Sequence, residues 1–149
     1  MAFERKTLDP QTYVYVERTT PMAQIAETMG SGFGEVFGTL GAKGIVPQSM
    51  PMSVYFEMSD PLTFRIGAIV SAEDAAASGL AHDTLPTEVV TTLHKGGYDG
   101  LGGTHQALWD HMTSEGIAAA MPVWEIYIDD PGETAEADLR TEIYRAVGA

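Results

Sequence analysis

The sequence predicts an α+β fold made of two similar halves, and three observations lead there. First, Val36-Phe-Gly-Thr-Leu-Gly-Ala-Lys-Gly44-Ile45 is echoed by Leu108-Trp-Asp-His-Met-Thr-Ser-Glu-Gly116-Ile117. Second, each run leads through Met50-Pro51 or Met121-Pro122 into a strand-like stretch that stops at an Asp-Pro, at Pro61 and Pro131. The two copies stand about 70 residues apart, close to half the chain, which marks a duplicated supersecondary unit. Third, strand-like runs separated by short turns flank one helical stripe in each half. Such a pattern gives antiparallel pairing with helices against a sheet face. The expectation is two pseudo-symmetric strand–helix–strand–strand units, an antiparallel sheet of about eight strands, helices packed on it, and a groove between the units.

The elements follow in order. Residues 1–11 read as a polar lead-in, and Tyr13-Val-Tyr-Val-Glu-Arg18 is β-branched and aromatic, as strands are. Pro21 kinks the chain, and Met22 to Met29 reads as a continuation of that strand, broken at Gly30-Ser-Gly32. Phe33, Val36, Phe37 and Leu40 then fall at helical spacing, with a stop near Gly44. Strands are expected over Met52–Ser59 and Leu62–Val70. Residues 71–86, rich in Ala, Asp and Ser, read as a connection containing a helical turn. The second unit repeats the plan: a strand over Thr87–His94, a break at Lys95-Gly-Gly97, a stripe of Leu101, His105, Leu108, Trp109 and Met112, then strands over Val123–Asp129 and Leu139–Val147. A single domain over residues 1–149 is expected, with 12–70 as first unit and 87–147 as second.

Composition narrows the function. With 21 acidic residues against 8 basic ones, the net charge is −13. That balance argues against direct nucleic-acid binding, which needs Lys and Arg to displace counterions, and against attraction to anionic lipid. Solubility explains most of the charge; a field that attracts cationic or electron-poor small molecules is the more specific reading. The absence of cysteine excludes disulfides, thiolate catalysis and Cys-based zinc sites. The four histidines, His82, His94, His105 and His111, show no ligand spacing, so no metal and no cofactor is expected. Gly30-Ser-Gly-Phe-Gly34 lacks the spacing of a phosphate loop, and no Gly-x-Ser-x-Gly elbow occurs. The N-terminal stretch lacks the apolar run of a signal peptide and no stretch reaches membrane-span length, so a cytoplasmic protein is expected.

Chemistry is sought on the repeat strands, where side chains alternate. Trp124, Ile126 and Ile128, like Val54, Phe56 and Met58, are expected beneath the helices. Tyr55, Glu57, Glu125 and Tyr127 would then occupy the opposite face, toward solvent or a cleft. Aligned on the Asp-Pro turns, Tyr55 matches Glu125 and Glu57 matches Tyr127. A carboxylate flanked by aromatics is either a solvated residue on an open sheet face or a desolvated anchor for a cationic or polarised ligand. In the second case each ring adds about 0.5–2 kcal/mol of cation–π attraction, and burial suits the carboxyl to acid or base work. Tyr98, following Gly97 in a turn, reads equally as pocket lining or plain surface; Trp109, on the helix stripe, reads as core first and ligand contact second. Met22, Met29, Met50, Met52 and Met121 read mainly as adaptable filler.

Lys95-Gly-Gly-Tyr-Asp-Gly-Leu101, the helix with Leu108-Trp109, Gly116, Pro122-Val-Trp-Glu-Ile-Tyr-Ile-Asp-Asp-Pro131 and Leu139-Arg-Thr-Glu-Ile-Tyr144 resemble the GyrI-like small-molecule-binding family. That family includes the effector-binding domains of AraC-type and MerR-type regulators. The resemblance spans residues 12–147, with the specific motifs in the second half. It implies a ligand groove between the units and a ligand-engaging Glu on the penultimate strand, which maps to Glu125 with Tyr127 two residues on; Tyr55 is the aromatic from the other unit. About a dozen residues precede the domain, too few for a helix-turn-helix, so a stand-alone member is expected. The resemblance implies three functions: a protein that senses or sequesters amphipathic, cationic or aromatic molecules; a hydrolase opening cyclopropane rings of DNA-alkylating compounds, with Glu125 and Tyr127 as catalytic residues; or an inhibitor of DNA gyrase by protein contact. A regulator is the other protein partner in view.

Overall fold

In a computed structural model that describes residues 2–148, the fold is α+β, with eight strands and three α-helices among the described residues. The chain forms two compact units. One is Asp9–Leu85; the other combines the first eight residues with the chain from Pro86 onward.

The first unit comprises β2 (Thr12–Thr20), α1 (Ile25–Ala42), β3 (Met52–Tyr55), β4 (Leu62–Val70), α2 (Ala72–Ser78) and β5 (Ala81–Thr84). Its strands run in the order β5-β2-β4-β3, every pair antiparallel. The second unit comprises β1 (Phe3–Thr7), β6 (Glu88–Lys95), α3 (Leu101–Ser114), β7 (Ala119–Tyr127) and β8 (Arg140–Val147). Its order is β1-β6-β8-β7, again antiparallel throughout. The plan is the same in both; the outermost strand comes from after the repeat in one unit and before it in the other.

The helix ends repeat most closely. Gly44 and Gly116 both adopt φ of 69°, a left-handed conformation that glycine accepts without a Cβ penalty. In each case the next amide reaches back to the helix, Ile45 to the Leu40 carbonyl at 2.9 Å and Ile117 to the Met112 carbonyl at 2.8 Å. These are Schellman caps, satisfying carbonyls that the helix itself leaves unbonded.

Several expected boundaries move. Residues 22–29 are not strand: a 3-10 turn at Met22–Gln24 opens directly into α1. Gly30 and Gly32 lie inside that helix, and Gly32 is where it seats on Ile66, because a Cβ there would press on the Ile66 side chain. The glycine is a contact point rather than a break. Residues 71–86 hold α2, capped by the Ser71 hydroxyl on the Asp74 amide at 3.1 Å, and the exposed edge strand β5. The polar lead-in forms β1, paired to β6 from Phe3 to Thr7. Strand β3 ends at Tyr55, so Glu57 lies beyond it in an exposed segment; Phe56 and Met58, expected beneath a helix, are exposed too.

In the second unit, Val90, Leu108, Met112 and Ile143 form a fully buried cluster joining α3 to β6 and β8. Each such side chain contributes about 1.5–3 kcal/mol. This packing fixes which face of the strands looks at α3, and so sets the site.

Candidate ligand-binding site

Register and alternation place three rows of side chains under α3. Val90 pairs with Arg145, which pairs with Val123; Thr92 pairs with Ile143, which pairs with Glu125; His94 pairs with Thr141, which pairs with Tyr127. Ile143 is in the cluster with Leu108 and Met112, so Glu125 and Tyr127 share the helix-facing side. The expected orientation of β7 is therefore reversed. Trp124 takes the other face, stacked on Tyr144 with centroids 5.2 Å apart. The tryptophan finds a flat aromatic partner there, which leaves the helix side to the carboxylate.

Glu125 is only 5% exposed. Burying a carboxylate costs several kcal/mol unless its oxygens are bonded. Here both are: His105 Nε2 on α3 lies 2.6 Å from Oε2, and the Tyr127 hydroxyl donates to Oε1 at 2.6 Å. With a charged carboxylate, Nε2 is the donating nitrogen of the imidazole. The result is a negative charge held in a set direction by one neighbour on the helix and one on its own strand.

Tyr98 meets Tyr127 edge to face, with centroids 5.6 Å apart. Burial first, then the charges of Asp130, Asp129 and Glu125, push the Tyr98 phenol above its ordinary range, so it stays protonated. Its turn is held by His94, a buried side chain whose Nε2 donates to the Gly97 carbonyl at 2.8 Å. Its Nδ1 shares a hydrogen bond with the Thr104 hydroxyl at 2.7 Å, and in the neutral ring that nitrogen is the acceptor. His94 thus ties the turn bearing Tyr98 to the helix bearing His105.

Trp109 does not fill the core: it is 42% exposed, with the Arg145 guanidinium 4.7 Å from its ring centroid. It lies one turn beyond His105 on the same flank of α3. Glu125, Tyr127, Tyr98 and Trp109, all named from the sequence, therefore sit in one unit, with Tyr127 in contact with both Glu125 and Tyr98. Tyr55 and Glu57 belong to the other unit. Tyr55 is buried, stacked on Phe64 at 5.5 Å, with its hydroxyl accepting from Ser53 at 3.0 Å; Glu57 is exposed. Sequence reasoning missed His105, His94 and Arg145. The signal for His105 was its place on the apolar stripe, where an imidazole needs a polar partner. Among the described residues no group of three or more His, Cys, Asp or Glu is arranged to hold a metal, and no helix is long and apolar enough to cross a membrane.

A family model described as GyrI-like small molecule binding domain matches residues 1–147. Among solved structures, the EcmrR C-terminal domain superposes with a TM-score of 0.79 at 17% identity, covering 99% of this chain and 97% of that one. A hydrolase from Listeria innocua gives 0.68 at 13% identity, covering 98% and 91%. SAV2435 bound to tetraphenylphosphonium gives 0.66 at 14%, covering 100% and 95%. At such identities the likeness concerns the fold. No curated protein matches the chain.

Proposed function

The chain belongs to the GyrI-like small-molecule-binding family, and on that footing we propose that it senses or sequesters amphipathic cationic or electron-poor aromatic molecules through Glu125. One observation carries the proposal: a carboxylate 5% exposed, with both oxygens hydrogen-bonded, beside the rings of Tyr127 and Tyr98. The fold does not require an acid at this place, because the matching position of the first unit is Tyr55. A desolvated anion flanked by aromatic rings favours a soft, poorly hydrated cation over a small, strongly hydrated one. The net charge of −13 would raise the local concentration of such a ligand. Tetraphenylphosphonium, which SAV2435 holds, is a suitable probe. Thermal shift and calorimetry should show binding by the wild type, weakened at least about tenfold, or 1.4 kcal/mol, in Glu125→Gln. Equal affinity of both proteins would sink the assignment of Glu125, and no response to a panel of aromatic cations would sink the class of ligand.

The Glu125–His105 contact also supports a second reading. A carboxylate bonded to an imidazole can take a proton from water. The hydroxide would bond one ring carbon as the strained carbon–carbon bond breaks, and Tyr127 or Tyr98, as a protonated phenol, would give its proton to the other carbon. The proton held by Glu125 would then restore the phenol. The product of a cyclopropane substrate gains one water by mass spectrometry, and Glu125→Gln should abolish that gain.

A further inference from the structure

Arg145 stands out among the arginines. Arg18 pairs with Glu35, Arg65 with Asp83 and Glu17, and Arg140 with Asp129, while Arg5 is exposed on the edge strand β1, where water solvates it. Arg145 is half-buried, yet among the described residues no carboxylate lies within ion-pair distance of it. Its Nε is buried and has no hydrogen-bond partner. In a chain with 21 acidic residues, a desolvated guanidinium that none of them meets calls for a reason. Burial alone pulls its pKa below the ordinary arginine value, and it remains a cation. Among the described residues, the face of Trp109, 4.7 Å away, is the group that meets it. The architecture does not call for this pair: by register, the counterpart of Arg145 beside Val16 is Ile66, and the helix counterpart of Trp109 is Phe37.

We infer that Arg145 and Trp109 form an anion subsite, which takes a carboxylate or sulfonate carried by an aromatic ligand. The guanidinium presents donors in a planar fork suited to such a group, and the half-exposed indole supplies a platform for the adjoining ring. Position sets the rest of the ligand. Arg145 follows Ile143, the partner of Glu125, by two residues on β8, and Trp109 follows His105 by one helical turn. The two residues are therefore offset by two positions, about 6–7 Å of backbone, along the strand direction. Resting on the Glu125 reading for its cationic end, the inference makes the preferred ligand a zwitterion whose charges are spaced on the scale of two strand residues, about 6–7 Å.

The test uses 4-(aminomethyl)benzoate, a rigid aromatic zwitterion of that span, and its methyl ester, which keeps only the cation. Both are titrated by NMR against the indole N–H signal of Trp109, assigned with Trp109→Phe. The acid should bind the wild type about tenfold more tightly than the ester. Arg145→Gln should erase that preference, while Arg145→Lys should keep part of it. Glu125→Gln should weaken acid and ester by the same factor and leave their ratio intact. An unchanged affinity in Glu125→Gln with the acid preference intact would refute the Glu125 reading and still support the subsite. Equal binding of acid and ester, an undiminished preference in Arg145→Gln, or no movement of the Trp109 signal would overturn the subsite.

Discussion

The two units share one plan and fill it with different chemistry. Beneath α3 the strand position next to the helix holds Glu125, and the helix position that meets it is His105. In the first unit the matching places hold Tyr55, stacked on Phe64, and Phe33. Arg145 and Trp109 of the second unit stand where the first has Ile66 and Phe37. On the strand faces turned away from the helices the asymmetry reverses. Arg65 of the first unit hydrogen-bonds the Tyr13 hydroxyl at 2.8 Å and Asp83 at 2.9 Å, and lies over the Tyr15 ring; its register counterpart in the second unit is Tyr144, stacked on Trp124. The first unit thus places its bonded charge on the strand face turned away from its helix, and the second unit places its bonded charge on the face turned toward its helix. Caps and strand order set the architecture; the polar residues were free to diverge.

The largest effect on this comparison comes from a position where the units differ in backbone packing. Gly67 follows Ile66 on β4 as Ala146 follows Arg145 on β8. A Cβ at Gly67 would collide with the Val14 backbone carbonyl, and a backbone atom in a paired strand cannot swing aside. Gly67→Ala should cost at least about 3 kcal/mol and shift the urea midpoint accordingly. A wild-type midpoint would mean that β2 and β4 are not as closely apposed as described. Next, His105→Phe gives the second unit the residue of the first. It strips one donor from a buried carboxylate and should cost about 2 kcal/mol. Adding Glu125→Tyr, which completes the match, should recover at least half of that loss; additive losses would show that the two positions are not coupled.

The smallest effect is the alkaline limit. Burial pushes Tyr13 up to about 12, opposed by Arg65, and Tyr144 up to about 12, reinforced by Glu142. A phenol whose folded pKa lies above its unfolded value near 10 stabilises the fold fully below that value. That contribution is lost as pH rises from 10 through 12. Tyrosinate absorbance should therefore show Tyr13 and Tyr144 among the late-titrating phenols. Glu142→Gln should bring the Tyr144 titration down and leave Tyr13 in place. Movement of both together would indicate global unfolding rather than local ionisation.

Much of this was legible beforehand where the signal is local. The paired glycines, the Asp-Pro stops and the stripes of Val36-Leu40 and Leu108-Met112 gave the duplicated plan, because helix caps and periodicity are written in adjacent residues. Edge strands were not legible: β1 and β5 are largely exposed, so they lack the alternation that marks a half-buried strand. Glycine misled at positions 30 and 32, where its small size serves helix seating instead of a break. The strand phase around Trp124 is not legible either: its apolar residues read as helix-facing, whereas both faces of β7 are buried.

By itself the sequence determined the fold class, the repeat and the acid at position 125, since composition and periodicity act along the chain. Only the tertiary structure decided that this acid points at α3, that His105 and Tyr127 hold its charge, and that Arg145 lies over Trp109. The contacts of Glu125 with His105 and of Arg145 with Trp109 join residues 20 or more apart in sequence, chosen by register between strands and by the seat of one helix, and neither is encoded in any single segment.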